Sequence, residues 1–323
     1  MRFIVYGAGA IGGLAGGLLA LSGQEVVLIA RGAHAEAIAE RGLTVVSAEQ
    51  ERTVPVPVVT GPDAAEPADG DVVLLAMKSQ DTAAALDALR RCAPVGMPVV
   101  CLQNGVDNER SALRLFHHVY AVCVMCPASH LDPGVVQQDS VPVPGMLDVG
   151  RYPSGTDAVT ASLSEAFRTA GFESVERAEV MRWKYRKLLM NLGNAVQALC
   201  HPPGIGPIVE QARAEGEACL RAAGIDYATE EEDARRRGDI LQIREIPGRP
   251  RGGGSSWQSL RRGTGTIETD YLNGEISLLG RLHQVPTPVN DTLRRLAWEA
   301  AVRRDPPGRL SADEFRALVG AAG

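Results

Sequence analysis

The stretch RFIVYGAGAIGGLAGGLLALSGQEVVLIA, residues 2–30, decides how the N-terminal half of this 323-residue chain folds. An apolar, β-branched run leads directly into glycines with the spacing Gly7-x-Gly9-x-x-Gly12. A helical segment rich in leucine and alanine follows, and after it comes a second strand-like run. Strand, glycine turn, helix and strand in this order form the context that a dinucleotide-binding fingerprint requires. The stretch therefore predicts the first unit of a doubly wound α/β domain.

Each glycine of this pattern has its own physical purpose. Gly7 permits the tight turn after the strand, Gly9 lets the backbone approach a pyrophosphate, and Gly12 allows close helix–strand packing. The helix N-terminus then offers N–H groups and a partial positive charge to the phosphates. The predicted cofactor loop consists of Gly7, Ala8, Gly9, Ala10, Ile11 and Gly12.

The residues after the second strand indicate which dinucleotide binds. Enzymes that use NAD usually carry an acidic residue there, which binds the ribose 2′-hydroxyl. This chain continues instead with Ala30, Arg31 and Gly32. A guanidinium suits a 2′-phosphate, although an ordinary exposed arginine is the alternative interpretation of Arg31. The position favours NADP(H) as the cofactor.

Two further strand-like segments, 71–77 and 97–102, also end in polar residues. Lys78 follows the first segment, and Asn104 follows the second within Gln-Asn-Gly. Ligands of open parallel sheets bind beyond the carboxyl ends of the strands, so both residues are candidates for contact with cofactor or substrate. Taken singly, an exposed lysine and simple turn chemistry would explain them. Their joint position beside the fingerprint favours a functional role.

From about residue 180 the hydrophobic periodicity becomes helical. The segments 180–200, 207–224 and 266–285 are predicted helices, the last ended by Pro286 and Pro288, and 246–257 is a predicted flexible polar loop. We therefore expect an α/β Rossmann domain, doubly wound with a mainly parallel sheet, at 1–178. An all-helical domain is expected to follow at 179–323.

One predicted helix carries an unusual polar stripe. In KYRKLLMNLGN, residues 184–194, Lys187, Asn191 and Asn194 are spaced i, i+4 and i+7 and so share one helix face among apolar residues. Lys187 could extend to solvent while the amides cap nearby backbone, or the stripe could face a site. Glu268, at the start of the last predicted helix, could supply the carboxylate that a partly buried ammonium needs. Its alternative role is favourable electrostatics at a helix N-terminus.

Composition and charge argue against several other classes of protein. The net charge of −6 and a pI near 5.6 disfavour a nucleic acid as the main partner. Six cysteines in a long chain do not have the density of a disulfide scaffold, and CVMC at 123–126 resembles a strand rather than a metal site. No stretch reaches the roughly 18 apolar residues that a membrane span needs. These features predict a cytoplasmic protein with no nucleic acid, membrane or metal partner.

Taken together, several motifs resemble those of the ketopantoate reductases (2-dehydropantoate 2-reductases). The matching pieces are GAGAIGG, AMKSQD, LQNGVDN, KLLMN, GSSW and IETDYLNGEI…VPTPVN, in an order and spacing that cover nearly the whole chain. The resemblance implies a Rossmann domain followed by a helical domain, with the active site in the cleft between them. It further implies NADPH-dependent reduction of a small 2-keto acid, ketopantoate first, in pantothenate biosynthesis. A homodimer is left open.

The resemblance also implies roles for individual residues. Lys187 corresponds to the general acid, Glu268 to the glutamate that contacts the substrate hydroxyl, and Arg31 to the arginine on the 2′-phosphate. The chemistry agrees, because hydride delivery to a ketone develops negative charge on oxygen, which a positioned ammonium stabilises and quenches. The other implied residues are Lys78, Asn104 and Ala128 on the cofactor, and Asn104, Asn191, Asn194, Ser256 and Glu268 on the substrate.

The chain departs from the family pattern on the substrate side. Trp257 stands where a methionine is usual, the aspartate that usually follows is replaced, and three glycines precede Ser255. Asn194 comes three residues after Asn191, where four is common. Two alternatives therefore stay open. One is a related NAD(P)-dependent dehydrogenase acting on another ketone or an imine, of the opine type, and the other is an NADP-binding sensor without catalysis.

Overall fold

The structure, a computed structural model, describes residues 1–249 and 252–320. The chain forms two compact units. Unit 1 comprises Met1–Lys184 together with the segment that begins at Thr229, and unit 2 comprises Tyr185–Ala228 together with the chain from Gly252. The single boundary expected at 178/179 differs from this division, because the segment from Thr229 groups with the N-terminal unit.

Eleven strands are described, all of them in unit 1. The strands are β1 (Arg2–Tyr6), β2 (Glu25–Ile29), β3 (Leu43–Val46), β4 (Glu51–Val54), β5 (Val58–Val59), β6 (Asp71–Leu75), β7 (Val99–Cys101), β8 (Val119–Met125), β9 (Ala128–Ser129), β10 (Val135–Gln138) and β11 (Met146–Arg151). Seven of them form one sheet in the order β11-β8-β7-β6-β1-β2-β5, parallel except for β11. The predicted doubly wound α/β domain is confirmed.

The helices occupy both units. The helices are α1 (Ala10–Leu21), α2 (Gly32–Arg41), α3 (Thr82–Leu89), α4 (Asn108–Leu113), α5 (Ala158–Thr169), α6 (Val180–Asn191), α7 (Gly193–Leu199), α8 (Gly206–Ala222), α9 (Glu230–Arg237), α10 (Ser255–Arg261), α11 (Asn273–His283), α12 (Pro288–Arg303) and α13 (Ala312–Gly320). Short 3-10 turns cover Asp63–Ala65, Ser79–Asp81 and Glu268–Tyr271. The helical character predicted for the C-terminal half is confirmed.

Glycines allow α1 to lie between two sheets. The remaining strands form a second sheet in the order β4-β3-β10-β9. A Cβ at Gly16 would lie 2.6 Å from the Leu28 side chain in the first sheet, and one at Gly17 would lie 2.9 Å from Val45 in the second. Contacts this short exclude a larger residue at either position. The glycine-rich sequence of α1 is therefore explained by packing on two faces as well as by the cofactor loop.

The segment after Thr229 is held to unit 1 by ion pairs and backbone hydrogen bonds. The Arg236 guanidinium on α9 donates to both carboxylate oxygens of Asp148, at 2.9 and 2.7 Å. Asp148 is buried in β11. The Val141 N–H donates to the Gln242 carbonyl at 3.0 Å. These long-range contacts have no signature in local sequence, which is why the predicted domain boundary did not include them.

Two of the predicted helices of the C-terminal half have different bounds. The predicted helix 180–200 is two helices, α6 and α7, with a break at Leu192. The predicted helix 266–285 is a 3-10 turn followed by α11, separated by Leu272 with φ −114° and ψ −86°. Pro288 begins α12, because proline suits the first helical position. The prediction for 207–224 is confirmed, since α8 covers nearly the same residues.

The predicted loop 246–257 is wrong at its C-terminal end. Ser255 and Trp257 lie in the first turn of α10, with Gly254 as the N-cap residue. The central part of the predicted loop, Pro250 and Arg251, lies outside the described residues. The serine pair singled out by sequence is thus at a helix N-terminus rather than in a loop.

The CVMC segment is part of a strand and its end, as predicted. Cys123 is buried in β8, and Cys126 is half-buried just beyond it. Among the described side chains, no group of three or more His, Cys, Asp or Glu is arranged to hold a metal ion. Within residues 1–249 and 252–320, no helix combines the length and apolar character needed to span a bilayer.

Candidate functional site

The turn between β1 and α1 has the geometry of a cofactor loop. Gly7 has φ +103°, and a Cβ there would lie 2.7 Å from the Met77 nitrogen. A Cβ at Gly12 would lie 2.1 Å from the Gly7 carbonyl oxygen. At Gly9, by contrast, no atom of the described residues lies within 4 Å of the place a Cβ would take. The loop therefore needs glycine for its own packing at two positions and exposes open backbone at the third.

The first turn of α1 is suited to phosphate groups. Gly9 is the N-cap, and the turn that follows contains only apolar residues and glycine. The N–H groups of Gly7 and Ala8 donate to the Ile29 carbonyl at 3.1 and 3.2 Å, which ties the loop to the end of β2. Helix geometry leaves the first N–H groups without intrahelical acceptors and gives this end a partial positive charge. Residues 7–12 thus fit the pyrophosphate of a dinucleotide.

His34 supports this loop, and sequence reasoning did not identify it. Its Nε2 lies 2.7 Å from the Ala8 carbonyl oxygen, and its Nδ1 accepts a hydrogen bond from the Gly134 N–H at 2.9 Å. Because a carbonyl only accepts, the imidazole is the neutral tautomer with hydrogen on Nε2. Burial lowers the pKa of His34, against the opposing effect of the Ala8 carbonyl. The ring also contacts His130, with centroids 4.1 Å apart.

Arg31 occupies the position from which sequence predicted cofactor selection. It is exposed, two residues beyond β2, and is the N-cap residue of α2. Burial raises the pKa of Tyr6 at the end of β1, and the nearby Arg31 cation opposes this rise. Because Ile29 of β2 pairs with Tyr6 of β1, Arg31 lies just beyond the carboxyl ends of both strands.

Lys78 and Asn104 lie on neighbouring loops that buried hydrogen bonds join. Lys78 is half-buried and immediately precedes the 3-10 turn after β6. Asn104 is half-buried after β7. The side-chain amide of Asn108 donates both to the Asn104 carbonyl at 3.0 Å and to the Ser79 hydroxyl at 3.1 Å. The structure thus joins the two loops that carry the predicted site residues Lys78 and Asn104.

Gln103 completes this network and fixes its orientation. Its Nε2 donates to the Met77 carbonyl at 2.9 Å and to the Thr82 hydroxyl at 2.8 Å. Thr82 in turn donates to the Asn108 side-chain oxygen at 2.8 Å. These hydrogen bonds connect the loop after β6 with the loop after β7. Sequence reasoning had noticed Gln103 only as a neighbour of Asn104.

Ala128 is placed in the second sheet. It is buried in β9 and pairs with Gln138 of β10. Its side chain belongs to the apolar core that also contains α1.

A buried ion pair lies beside these loops, and sequence reasoning missed both partners. Lys184 of α6 and Glu109 of α4 are 3% and 0% exposed, and Nζ lies 2.6 Å from Oε1. The ammonium also donates to the Gln103 carbonyl at 2.8 Å and faces the Val122 carbonyl at 3.4 Å. Burial raises the pKa of Glu109, and the Lys184 ammonium opposes the rise.

In unit 2 the polar stripe lies across the junction of α6 and α7. Lys187 and Asn191 are in the last turns of α6, and Asn194 is in the first turn of α7. Asn191 is buried, whereas Lys187 and Asn194 are half-buried. A Cβ at Gly254 would lie 3.5 Å from the Asn194 side-chain oxygen, so the start of α10, with the buried Ser256, packs against α7.

Hydrogen bonds of Thr269 and Asn273 connect the turn that begins at Glu268 to the same junction. Glu268 is buried and is the first residue of its 3-10 turn. Thr269 donates to the Asn273 side-chain oxygen at 3.4 Å, and Asn273 Nδ2 donates to the Leu192 carbonyl at 3.2 Å. Leu192 directly follows Asn191. The structure therefore brings the turn carrying Glu268 to the junction that carries the predicted stripe, through an asparagine that sequence reasoning did not select.

A second asparagine and a glutamate brace this arrangement. Asn273 Nδ2 donates to Asn290 Oδ1 at 2.9 Å, and Asn290 Nδ2 donates to the Glu215 carboxylate at 2.7 Å. The same carboxylate accepts the N–H groups of Val289 and Asn290 at 2.9 and 3.0 Å and so caps α12. Burial raises the pKa of Glu215, and these N–H donors oppose the rise.

Comparison with protein families accounts for both halves of the chain. The family described as ketopantoate reductase PanE/ApbA matches residues 3–154, and its C-terminal domain matches residues 179–299. A 2-dehydropantoate 2-reductase of Halobacterium salinarum is 33% identical over 314 residues, covering 92% of this chain and 97% of that protein. One from Pyrococcus horikoshii is 29% identical, covering 90% and 94%.

Solved structures show the same architecture. A PanE/ApbA family ketopantoate reductase from Ralstonia eutropha JMP134 is 28% identical with a TM-score of 0.77, covering 94% of this chain and 99% of that one. D-mandelate dehydrogenase, solved with NADH and anilino(oxo)acetate, has a TM-score of 0.78 at 22% identity, covering 94% and 100%. At that identity the second likeness concerns the fold alone.

Proposed function

The chain belongs to the PanE/ApbA ketopantoate reductase family, and on this premise we propose that it reduces 2-dehydropantoate (ketopantoate) to pantoate with NADPH. Membership makes it an oxidoreductase that acts on CH–OH groups with a nicotinamide cofactor and a small keto acid. The observation that carries the finer proposal is the 33% identity to a 2-dehydropantoate 2-reductase over 92% of the chain. Lys187 and Glu268, the two residues expected to do the chemistry, are both present within it.

The cofactor assignment rests on unit 1. Residues 7–12 and the N-terminus of α1 would hold the pyrophosphate, since the open backbone at Gly9 permits close approach. Arg31 would bind the 2′-phosphate, which NAD lacks. Lys78, Asn104 and Ala128 would contact the remainder of the cofactor. When bound, the nicotinamide of NADPH supplies the hydride.

The proton is assigned to Lys187. As the ketone carbon receives hydride, the carbonyl π electrons move to oxygen, and the Lys187 ammonium donates a proton there to give the alcohol. The side chain acts as the ammonium and is reprotonated by solvent afterwards. Glu268 would accept a hydrogen bond from the substrate hydroxyl. Asn104, Asn191, Asn194 and Ser256 would hold the rest of the substrate.

A substrate panel tests the proposed reaction. Oxidation of NADPH would be followed at 340 nm with ketopantoate and, separately, with pyruvate, 2-ketoisovalerate and phenylglyoxylate. We expect kcat/KM to be at least about tenfold higher for ketopantoate than for the other keto acids. A keto acid without the hydroxyl of ketopantoate would leave the buried Glu268 without its hydrogen bond, and an unpaired buried polar group disfavours binding strongly. A better keto acid or imine would overturn the substrate assignment. Binding of NADPH without turnover of any substrate would overturn the enzymatic reading in favour of a sensor.

A further inference from the structure

The Lys184–Glu109 ion pair has no part in the mechanism above, yet it lies directly beside Asn104. We propose that this pair is a positioning pair, which holds the Gln103–Asn104 backbone so that Asn104 can bind cofactor and substrate. The assignment of Asn104 rests on the proposed function. The positioning itself rests only on contacts within unit 1.

Two successive carbonyl groups of the loop are held from different elements. The Lys184 ammonium on α6 binds the Gln103 carbonyl at 2.8 Å. Asn108 on α4 binds the next carbonyl, that of Asn104, at 3.0 Å. Glu109 follows Asn108 directly and binds Lys184 at 2.6 Å. The pair therefore closes a ring of contacts around the backbone of Asn104, held through the carbonyl before it and its own carbonyl, and removing the pair releases one of these two carbonyls.

The Lys184–Glu109 pair is better suited to orienting the backbone around it than to stabilising the fold. Both side chains are almost fully buried, and burying two charges costs about as much as their attraction returns. A pair of apolar side chains of similar volume would stabilise the fold as well or better. The ammonium, however, presents three donors in different directions and meets a carboxylate and two carbonyls, which an apolar side chain cannot do.

The choice of lysine at this position stands out against the rest of the chain. Of the 33 basic residues, 30 are arginine and three are lysine: Lys78, Lys184 and Lys187. The other two lysines are proposed site residues. A planar guanidinium is larger than an ammonium and directs its donors in a fork, so arginine would not reproduce the three contacts of Lys184. Lysine at position 184 thus provides a compact ammonium that can make these three contacts at once.

The test compares removal of this pair with removal of another buried pair in unit 1. In the variant K184M/E109M both charges are lost together, so that no unpaired charge is left buried. The matched control is R236M/D148N, because Asp148 is also nearly inaccessible and its pair with Arg236 contacts neither Gln103 nor Asn104. Glu109→Gln serves as a second variant, which keeps the ammonium and its carbonyl contacts but removes the carboxylate that pairs with it.

Two measurements report on positioning. Without ligands, hydrogen exchange of the peptide covering 102–108 is expected to accelerate at least about tenfold in K184M/E109M and about threefold in Glu109→Gln, and to stay unchanged in the control. In turnover, kcat/KM for ketopantoate is expected to fall at least about tenfold in the double variant. The Kd for NADPH, measured by fluorescence, should rise by a smaller factor, about threefold, since Asn104 is only one of several proposed cofactor contacts and the glycine loop and Arg31 are untouched.

The outcomes separate this proposal from the proposed function. Unchanged exchange at 102–108 in both Lys184–Glu109 variants would overturn the positioning role, whatever the substrate is. Equal acceleration in the R236M/D148N control would also overturn it, because the effect would then be general loss of stability. Faster exchange with an unchanged kcat/KM would refute the link to Asn104. If ketopantoate is not a substrate at all, the exchange result still decides the positioning role.

Discussion

Arg31 is the residue that we expect to determine the preference for NADPH over NADH. It is exposed and lies just beyond the paired carboxyl ends of β1 and β2. We expect Arg31→Ala to raise the Kd for NADPH by about 10- to 100-fold, because one or two charge-assisted hydrogen bonds to the 2′-phosphate are lost. The Kd for NADH, which lacks this phosphate, should change little. Fluorescence titration with both cofactors measures this. Arg41→Ala, at the other end of α2, is the control. An equal loss for both cofactors would contradict the assignment.

His34 gives a pH dependence whose sign follows from its lowered pKa. As the pH falls through about 6.5, the ordinary pKa of histidine, His34 is protonated in the unfolded chain but stays neutral in the folded protein. The stability contributed by neutral His34 is therefore complete above that pH and is lost as the pH falls below it. We expect the drop in Tm between pH 7.5 and 5.5 to be smaller in His34→Gln than in wild type.

The control for this experiment is His117→Gln, at an exposed position in the same unit. It should keep the pH dependence of the wild type, since the substitution leaves the contacts of His34 with Ala8 and Gly134 intact. Because His130 contacts the His34 ring, the comparison is made with His130 intact in every variant. A His34→Gln variant with the full drop in Tm would show that another group causes it.

Among the secondary-structure elements, those determined by neighbouring residues were predicted from sequence, and those that depend on contacts between distant residues were not. The strands and α1 depend on local sequence: apolar runs and glycine spacing determine them, and the cofactor loop was predicted from the spacing of Gly7, Gly9 and Gly12. The break between α6 and α7 is not local, since Asn273 from a later helix binds the Leu192 carbonyl there. The 3-10 turn carrying Glu268 depends on the same bond network. No periodicity in the sequence could reveal either feature.

Glu215 is a helix cap supplied by a different helix, and its removal should destabilise unit 2. Its carboxylate accepts two N–H groups at the start of α12 and a third bond from Asn290. We expect Glu215→Ala to lower the free energy of unfolding by about 2–3 kcal/mol, a lost cap plus a buried donor left unpaired. Urea denaturation measures the change. Glu217→Ala, on the same helix with a long ion pair to Arg221, should stay within about 0.5 kcal/mol. An equal decrease in the free energy of unfolding in both variants would argue against the capping role of Glu215.

At the scale of the whole molecule, candidate site residues come from both units. Sequence reasoning identified those that belong to recognisable motifs, such as Lys78, Asn104 and Glu268. It missed Lys184 and Glu109, because their pairing joins two helices far apart in the chain and neither residue has a local signature. It also missed the return of the segment from Thr229 to unit 1, for the same reason.

The three lysines allow a chemical test across the whole protein. Lys184 is almost inaccessible, whereas Lys78 and Lys187 are half-buried. Reductive methylation of the native protein is therefore expected to modify Lys78, Lys187 and the N-terminus and to leave Lys184 unmodified. Peptide mass spectrometry reads each site separately. Addition of NADPH and pantoate should protect Lys78 and Lys187. Modification of Lys184 at the rate of the other two would contradict its burial.

The central claim, that Lys187 protonates the ketone as hydride arrives, is tested most directly by single turnover. Enzyme saturated with NADPH is mixed with excess ketopantoate, and the first turnover is followed at 340 nm for wild type, Lys187→Ala and the exposed control Glu210→Ala. We expect a rate at least about a hundredfold lower in Lys187→Ala, with the Kd for NADPH within about threefold of wild type. Glu210→Ala should match the wild type. An unchanged first-turnover rate in Lys187→Ala would contradict the claim and require another proton donor.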